Sequence, residues 1–300
     1  MNISKPKLLI YIIAFNHEEF IVNVLKRIPL NLSKKYEVEI LINDDSSKDN
    51  TFDLSYRYTK NAPGNFKFTI LYNPTNQGYG GNQKIGYHYA IKHNFDFVAL
   101  LHGDGQYAPE YLEKLIDPLS QNNIDAVFGS RMITKGAALK GGMPLYKFIG
   151  NKVITFFQNF LLSTNFSEFH SGYRAYRVSS LQKIPFYLNS NYYPFDTEII
   201  IQFIISKLKI VEIPIPTYYG FEFHAMHIKY AIQVCLITLK AKIQKFGLIY
   251  DKKFDHESKN THFVLTKENR DLELLLEKAK TESKRGLDRS VNHNYYTVLN

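Results

Sequence analysis

Five short apolar runs, each stopping at a polar turn and followed by residues at helical spacing, occupy the chain between residues 7 and 131. The runs are 7–15, 37–42, 66–72, 98–101 and 125–128. Between them, apolar residues recur with the period of a helix, as in Phe20, Ile21, Val24, Leu25 and Ile28 before Pro29. Strands that alternate with helices pair in parallel, because each connection must cross back over the sheet. A run that is apolar at every position, as 98–101 is, fits a strand covered on both faces. The fold class this predicts is α/β, a mostly parallel central sheet flanked by helices.

In such a sheet ligands bind beyond the carboxyl ends of the strands, so the turns carry the information about function. The fourth run, within FDFVALLHGDGQYAPEYL, stops at His102-Gly103-Asp104-Gly105-Gln106, and Pro109-Glu110 opens the next helix. Asp104 thus stands at a sheet edge, although aspartate and glycine also form ordinary turns. The second run ends in Asn43-Asp44-Asp45-Ser46-Ser47, the third in Asn76-Gln77-Gly78-Tyr79-Gly80-Gly81, and the fifth in Gly129-Ser130-Arg131. The first leads into Phe15-Asn16-His17-Glu18, which lacks the glycines of a dinucleotide fingerprint, and no Gly-Lys-Ser/Thr phosphate loop follows any run. A Rossmann dehydrogenase and a P-loop enzyme are both disfavoured.

The second half is less regular. Residues 144–163 are apolar around much of the helix, which suits core burial or an interface, with burial the first expectation. Ser171-Gly172-Tyr173-Arg174-Ala175-Tyr176-Arg177 is strand-like, residues 195–207 form a helix opened by Asp196-Thr197-Glu198, and 211–215 form a strand. Residues 226–247 read as a basic amphipathic helix, able to lie on an anionic bilayer or to pack on its own domain. From Asp251 the composition becomes charge-rich. The expected organisation is one domain over 1–250 and a partly helical, otherwise loose tail over 251–300.

The single cysteine, Cys235, excludes an intramolecular disulfide and a thiolate zinc cluster. No run reaches the ~20 apolar residues of a membrane-spanning helix. A net charge of +9 favours an anionic partner, and the scattered aromatics carry no RNA-binding signature. The expected location is cytoplasmic, with a peripheral place on the cytoplasmic face of the membrane as an option.

Taken in order, IIAFNHEE, LINDDSSKDNT, NPTNQGYGGNQKIG, LLHGDGQYAPE, FGSR, SEFHSGYRAYR, FDTEII and VEIPIPTYYG resemble the family 2 glycosyltransferases of GT-A fold. The likeness is greatest to the branch with dolichol-phosphate mannose synthase and bacterial polyprenyl-phosphate glycosyltransferases, over about residues 7–247. The resemblance implies a donor site that includes Phe15, Asn16, Glu18, Asp44, Asp45, Asn76, Gly78 and Ser130, with Phe15 and Asp45 flanking the nucleotide base. Asp104, with Gln106 nearby, would hold Mg²⁺ or Mn²⁺ against the diphosphate. Arg131 and Arg174 would be anion clamps, and Glu168 and Ser171 belong to the SGYR segment. Glu198 is either support for a helix N-terminus or a wall of the site. The synthases that the chain resembles usually carry Asp-x-Asp-x-Gln, so His102 stands in place of their first acid. A strand-end histidine satisfied by hydrogen bonds is the preferred reading, and the change bears on metal affinity, metal identity or the ribose contact.

The activity implied is transfer of a hexose from a nucleoside diphosphate sugar to a polyprenyl phosphate, with inversion. That acceptor is already ionised and needs positioning more than a base. A sugar-hydroxyl acceptor would need a carboxylate base, for which Glu168 or Asp196 are candidates. A nucleotidyltransferase would show a glycine-rich loop after the first strand. A non-catalytic membrane-binding module would be indifferent to the loss of Asp104.

Overall fold

The computed structural model describes residues 4–121, 123–216, 218–219, 228–255 and 267–293. Thr217 and Gly220 of the VEIPIPTYYG segment, the start of the 226–247 helix, and residues 256–266 and 294–300 of the expected tail lie outside them. The strands are β1 (Lys7–Ala14), β2 (Glu37–Asp44), β3 (Lys67–Tyr72), β4 (Phe97–His102), β5 (Ala126–Ser130), β6 (Arg174–Arg177) and β7 (Ile210–Pro214). They form one sheet in the order β3-β2-β1-β4-β6-β5-β7. Every neighbouring pair is parallel except those of β6, which runs antiparallel to both β4 and β5.

Around the sheet lie α1 (Ile21–Lys26), α2 (Leu32–Lys35), α3 (Thr51–Lys60), α4 (Tyr79–Lys92), α5 (Leu112–Ile116), α6 (Ala137–Lys140), α7 (Leu145–Leu162), α8 (Val178–Leu181), α9 (Phe195–Ile205), α10 (Ile228–Gln244) and α11 (Lys267–His293). The helix expected from Pro109 to Gln121 breaks into a 3-10 turn, the five-residue α5 and a second 3-10 turn at Asp117–Ser120. Pro118 has no N–H to give and ends the α-helical ladder there.

The alternation of side chains along β1 explains its unbroken apolar sequence. Leu9, Tyr11 and Ile13 enter the cluster on one face of the sheet, and Leu8, Ile10 and Ile12 the cluster on the other. On the first face α4 lies against β1, where a Cβ at Gly86 would stand 2.1 Å from the Tyr11 ring. The Tyr11 hydroxyl donates to the Asn82 carbonyl at 2.6 Å and Asn43 Nδ2 donates to Asn82 Oδ1 at 2.8 Å, so both of these buried donors are paired.

Two expectations change. The stretch after 251 contributes α11, whose Leu272, Leu276 and Ala279 are buried in the same core as β1. Ser283 Oγ accepts the β3 amide of Tyr72 at 2.7 Å, so this helix covers the sheet's edge strand. The helix at 144–163, expected in the core, turns only Asn151, Ile154, Thr155 and Gln158 inward. Its larger apolar side chains face solvent. Its periodicity is amphipathic, with the apolar stripe directed outward.

Candidate active site

Register carries the turns to one edge. Ala14 at the end of β1 pairs with Asp44 of β2, and Ile13 with His102 of β4. The turns after β1 and β2 are then stitched together. Asn16 takes a left-handed φ of 55°, which asparagine tolerates better than most residues. Its N–H donates to Ser47 Oγ at 2.9 Å and its Oδ1 accepts Lys48 N–H at 2.9 Å. The Glu18 carboxylate accepts both the backbone N–H and the side-chain amide of Asn50, at 3.0 and 2.8 Å. Asn16 and Glu18 therefore shape the mouth of the site, while the Phe15 ring beside them stays open to solvent at 41% exposure.

Asp45 organises the third turn. It accepts Asn73 Nδ2 at 2.7 Å, Gln77 N–H at 2.8 Å and Gly78 N–H at 3.0 Å, and Asn76 Oδ1 accepts the same glycine amide at 2.9 Å. Gly78 has φ 77°, and a Cβ there would meet the Asn191 carbonyl oxygen at 2.5 Å, so only glycine closes this turn. Burial raises Asp45 above the usual carboxylate range. Its neighbour Asp44 is fully buried. Asp44 Oδ1 accepts Ser47 N–H at 2.7 Å, whereas Oδ2 has no hydrogen-bond partner among the described residues. Burial pushes the Asp44 carboxyl up to about 7.

The Asp104 turn is shaped by glycines. Gly103 N–H donates to the Ile13 carbonyl at 2.9 Å, prolonging the β1–β4 pairing, and Gly105 takes φ 74°. Asp104 Oδ1 accepts Gln106 N–H at 2.9 Å, and Oδ2 lies 4.0 Å from His102 Nδ1. The His102 ring meets Tyr79 and Tyr107 edge-on, with centroids at 5.6 and 4.9 Å, and its Nε2 is 3.4 Å from the Tyr79 hydroxyl. Burial lowers its pKa, which favours a neutral imidazole. The Tyr79 hydroxyl donates to Asp196 Oδ2 at 2.9 Å, and Asp196 Oδ1 accepts Gln83 Nε2 at 3.2 Å. Gly172 lies against this group, since its Cβ would stand 2.7 Å from both the His102 ring and the Tyr79 oxygen.

The two expected anion clamps are committed to protein acceptors. Arg131 donates Nε to Glu168 Oε1 at 2.8 Å, Nη1 to the Tyr219 hydroxyl at 2.5 Å and Nη2 to the His170 carbonyl at 2.8 Å, with a further Nη2 bond to Glu168. Its backbone N–H reaches Glu168 Oε2 at 2.8 Å. Arg174 is fully buried, donating to the carbonyls of Ser171, Asp196 and Phe169 at 2.8, 3.0 and 3.0 Å, with Asp196 Oδ1 at 3.3 Å. Neither guanidinium presents a free fork for phosphate, because carbonyls and carboxylates already fill it. Glu168 is likewise held by Arg131 and by Asn151 Nδ2 at 2.7 Å. Ser130 Oγ bonds Ser167 Oγ at 2.6 Å, and Ser171 lies buried at the turn into β6. Glu198 accepts Ser190 N–H and Lys253 Nζ, each at 2.5 Å, so it ties α9 to the segment after α10.

The model of the family described as "Glycosyl transferase family 2" matches residues 9–185. The chain belongs to glycosyl transferase family 2. A UDP-N-acetylglucosamine–dolichyl-phosphate N-acetylglucosaminyltransferase from Methanococcus voltae is 32% identical over 70% of this chain and 86% of its own length. An undecaprenyl-phosphate mannosyltransferase from Micrococcus luteus is 26% identical over 64% of this chain and 79% of its own. Among solved structures, glucosyl-3-phosphoglycerate synthase from Mycobacterium tuberculosis, in complex with Mn²⁺, UDP-glucose and phosphoglyceric acid, superimposes with a TM-score of 0.56. The alignment covers 82% of each chain at 14% identity. That neighbour carries the fold alone, which is the GT-A fold.

In this glycosyltransferase the donor set at Asp104 limits what a metal site can be. No three His, Cys, Asp or Glu side chains converge as a cage among the described residues. A single carboxylate at the rim fits a hard cation that completes its shell with phosphate oxygens and water, as Mg²⁺ or Mn²⁺ does beside a diphosphate. Tyr79, Tyr107 and Asp196 complete the floor around His102. Tyr79 and Asp196 lie 117 residues apart, and only the sheet's topology joins them.

Proposed function

We propose that this glycosyltransferase moves a hexose from a nucleoside diphosphate sugar, of GDP-mannose or UDP-glucose type, to the phosphate of a polyprenyl or dolichyl phosphate, with inversion at the anomeric carbon. The observation that carries this reading is the pair of relatives named for lipid-phosphate acceptors, matched over most of their own lengths. The geometry supports the same acceptor class. A hydroxyl acceptor needs a carboxylate free to take a proton, yet Glu168 is locked to Arg131 and Asn151. A phosphate is ionised already and needs only to be positioned. The hydroxyl alternative would fall to Asp196, which is shared between Tyr79, Gln83 and Arg174.

In this reading Phe15 and the Asp44–Asp45 turn receive the nucleoside, Gly78 brings backbone close to it, and Asp104 faces the diphosphate. Mg²⁺ or Mn²⁺ at Asp104 would neutralise charge growing on the departing diphosphate. Gln106, whose N–H positions Asp104 Oδ1, supports that carboxylate from the adjoining turn. Arg131 and Arg174 act as positioning residues, holding the Glu168–Ser171 segment and Asp196 around the acceptor side. The lipid acceptor sets the work at a membrane surface, on the cytoplasmic face. Among the described residues no helix is long and apolar enough to cross a membrane.

The test is incubation of the purified chain with labelled GDP- and UDP-sugars, Mn²⁺ and either a short-chain polyprenyl phosphate or a panel of saccharide acceptors. Label in the organic phase with one donor supports the reading. Label transferred only to saccharide hydroxyls, with none on the lipid phosphate, overturns it.

A further inference from the structure

The two nitrogens of the His102 ring have different surroundings. Tyr79 and Tyr107 meet the ring edge-on, at interplanar angles of 75 and 84°, and Gly172 lies against its Cε1 and Nε2 atoms, where a Cβ would stand at 2.7 Å. Packing therefore holds the ring in one orientation. Hydrogen bonds then decide which nitrogen carries the proton. Asp196 lies 3.3 Å from the Arg174 guanidinium and, as a carboxylate, can only accept. The single Tyr79 hydroxyl proton goes to Asp196 Oδ2 at 2.9 Å, so the same oxygen can only accept from His102 Nε2, 3.4 Å away. A proton on Nε2 leaves Nδ1 as the bare nitrogen of the ring. Arg174, Asp196 and Tyr79 thus form a hydrogen-bonded support of the kind that orients a metal-binding imidazole.

Nδ1 makes no hydrogen bond among the described residues, and it faces Asp104. Asp104 divides its oxygens in a similar way. Its Oδ1 accepts Gln106 N–H at 2.9 Å, and Oδ2 is the oxygen 4.0 Å from Nδ1. That separation is too long for a hydrogen bond between them, which needs ~2.7–3.2 Å. It is within the span of one cation, because bonds of ~2.1 Å to nitrogen and to oxygen reach across at most ~4.2 Å. Two electron-pair donors face each other here with nothing positive between them. Both side chains keep some exposure, 12% for His102 and 15% for Asp104, so an ion and its remaining ligands can approach from the open side.

We propose that His102 Nδ1 and Asp104 Oδ2 together ligate the divalent cation of the donor site, as a mixed nitrogen and oxygen pair that selects a transition-metal ion over Mg²⁺. The proposal rests on the sugar-nucleotide reading of the site and narrows its metal. Mg²⁺ keeps to oxygen ligands and water, whereas imidazole favours first-row transition ions, with affinity rising from Mn²⁺ through Co²⁺. His102, expected from the sequence to be a strand-end residue satisfied by hydrogen bonds, is satisfied at one nitrogen and offers the other. Two donors with one negative charge between them make a weak site alone, so the ion arrives with the nucleotide and completes its shell with diphosphate oxygens and water.

The experiment is pulsed electron paramagnetic resonance of Mn²⁺ on the full chain with UDP, and in a second arm with GDP. It compares unlabelled protein with protein carrying nitrogen-15 in its histidines. The expected result is a nitrogen modulation of the Mn²⁺ echo that takes the nitrogen-15 pattern with the label and is lost in His102→Asn. An equal concentration of Mg²⁺ should leave the wild-type echo in place and reduce that of His102→Asp. Tyr79→Phe, which removes the partner of Nε2, should weaken Mn²⁺ binding ~10-fold or more. The labelled wild type gives its answer even where a variant fails to fold. Bound Mn²⁺ without histidine modulation overturns the proposal and leaves the ion on Asp104, with the sugar-nucleotide reading intact. Modulation that persists in His102→Asn assigns another histidine and overturns it as well. No Mn²⁺ bound with either nucleotide overturns the proposal and the metal-assisted reading together.

Discussion

Replacing Glu168 by glutamine removes one negative charge from a site where both partners are shielded, with Arg131 4% and Glu168 0% exposed at the side chain. The guanidinium stays ionised, so the variant buries a cation without its counter-charge. One-sided removal of a buried ion pair costs ~3–5 kcal/mol. The amide makes matters worse in a second way. Both carboxylate oxygens accept hydrogen bonds from Arg131, one from Nε and one from its backbone N–H, and in glutamine one of those acceptors becomes a donor. Urea unfolding should show the unfolding free energy in water reduced by this amount, seen as a lower midpoint with the slope unchanged. Replacing both residues by methionine should recover most of the loss, since it removes the unpaired charge as well. The pH dependence has a definite sign. Burial alone would raise the Glu168 pKa, but the Arg131 charge and the hydrogen bonds to it outweigh that and hold it below its ordinary 4.5. Its stabilisation is therefore present above pH 4.5, is lost as the pH falls below that, and should be missing from the variant's profile. A variant that unfolds like the wild type but has lost turnover would refute this reasoning and make Glu168 a base.

The remaining expectations are narrower. Asp104→Asn should abolish turnover while leaving the circular dichroism spectrum and unfolding midpoint as they were, because this side chain sits at the rim and buries no partner charge. Asp44 has its folded pKa raised from 3.8 to about 7, so the folded state keeps a proton that the unfolded chain releases, and stability falls as pH rises between those values. Asp44→Asn should flatten that slope and gain up to ~4 kcal/mol at pH 8 relative to the wild type, measured by denaturant titration at several pH values. Leu276→Ala should cost ~2–5 kcal/mol, since Leu276 is fully buried between α11 and the core. A loosely attached tail would instead leave the unfolding midpoint unmoved.

Much of the sheet was legible in the sequence because strands covered on both faces write themselves as unbroken apolar runs, as β1 and β4 did, whereas β2 and β3 carried Glu39, Lys67 and Thr69 within theirs and were marked by the polar turns that ended them. The antiparallel β6 was harder. The segment reads as strand-like, but nothing in Arg174-Ala-Tyr-Arg announces burial, and Arg174 is tolerated in the core only because three carbonyls and Asp196 close around it. The direction of α7 was hidden for a related reason. Apolar periodicity gives the width of a stripe and says nothing about which way it points, and the informative residues were Asn151, Thr155 and Gln158 on the opposite side. At the site, strand-end residues such as Asp45, Asp104 and Asn16 could be placed from their turns. The roles of Arg131 and Glu168 depend on which side chain each one meets, and spacing along the chain does not encode that. Glu198, balanced between helix support and a site wall, turns to Lys253 and Ser190 instead, partners set by the segment after α10.

The central claim is transfer to a lipid phosphate with inversion, and nuclear magnetic resonance of the purified product tests it most directly. An α-linked donor sugar and a short-chain polyprenyl phosphate should give a β-linked sugar whose anomeric carbon is coupled to phosphorus. An α-linked product, or a sugar on a hydroxyl with no phosphorus coupling, would contradict the account.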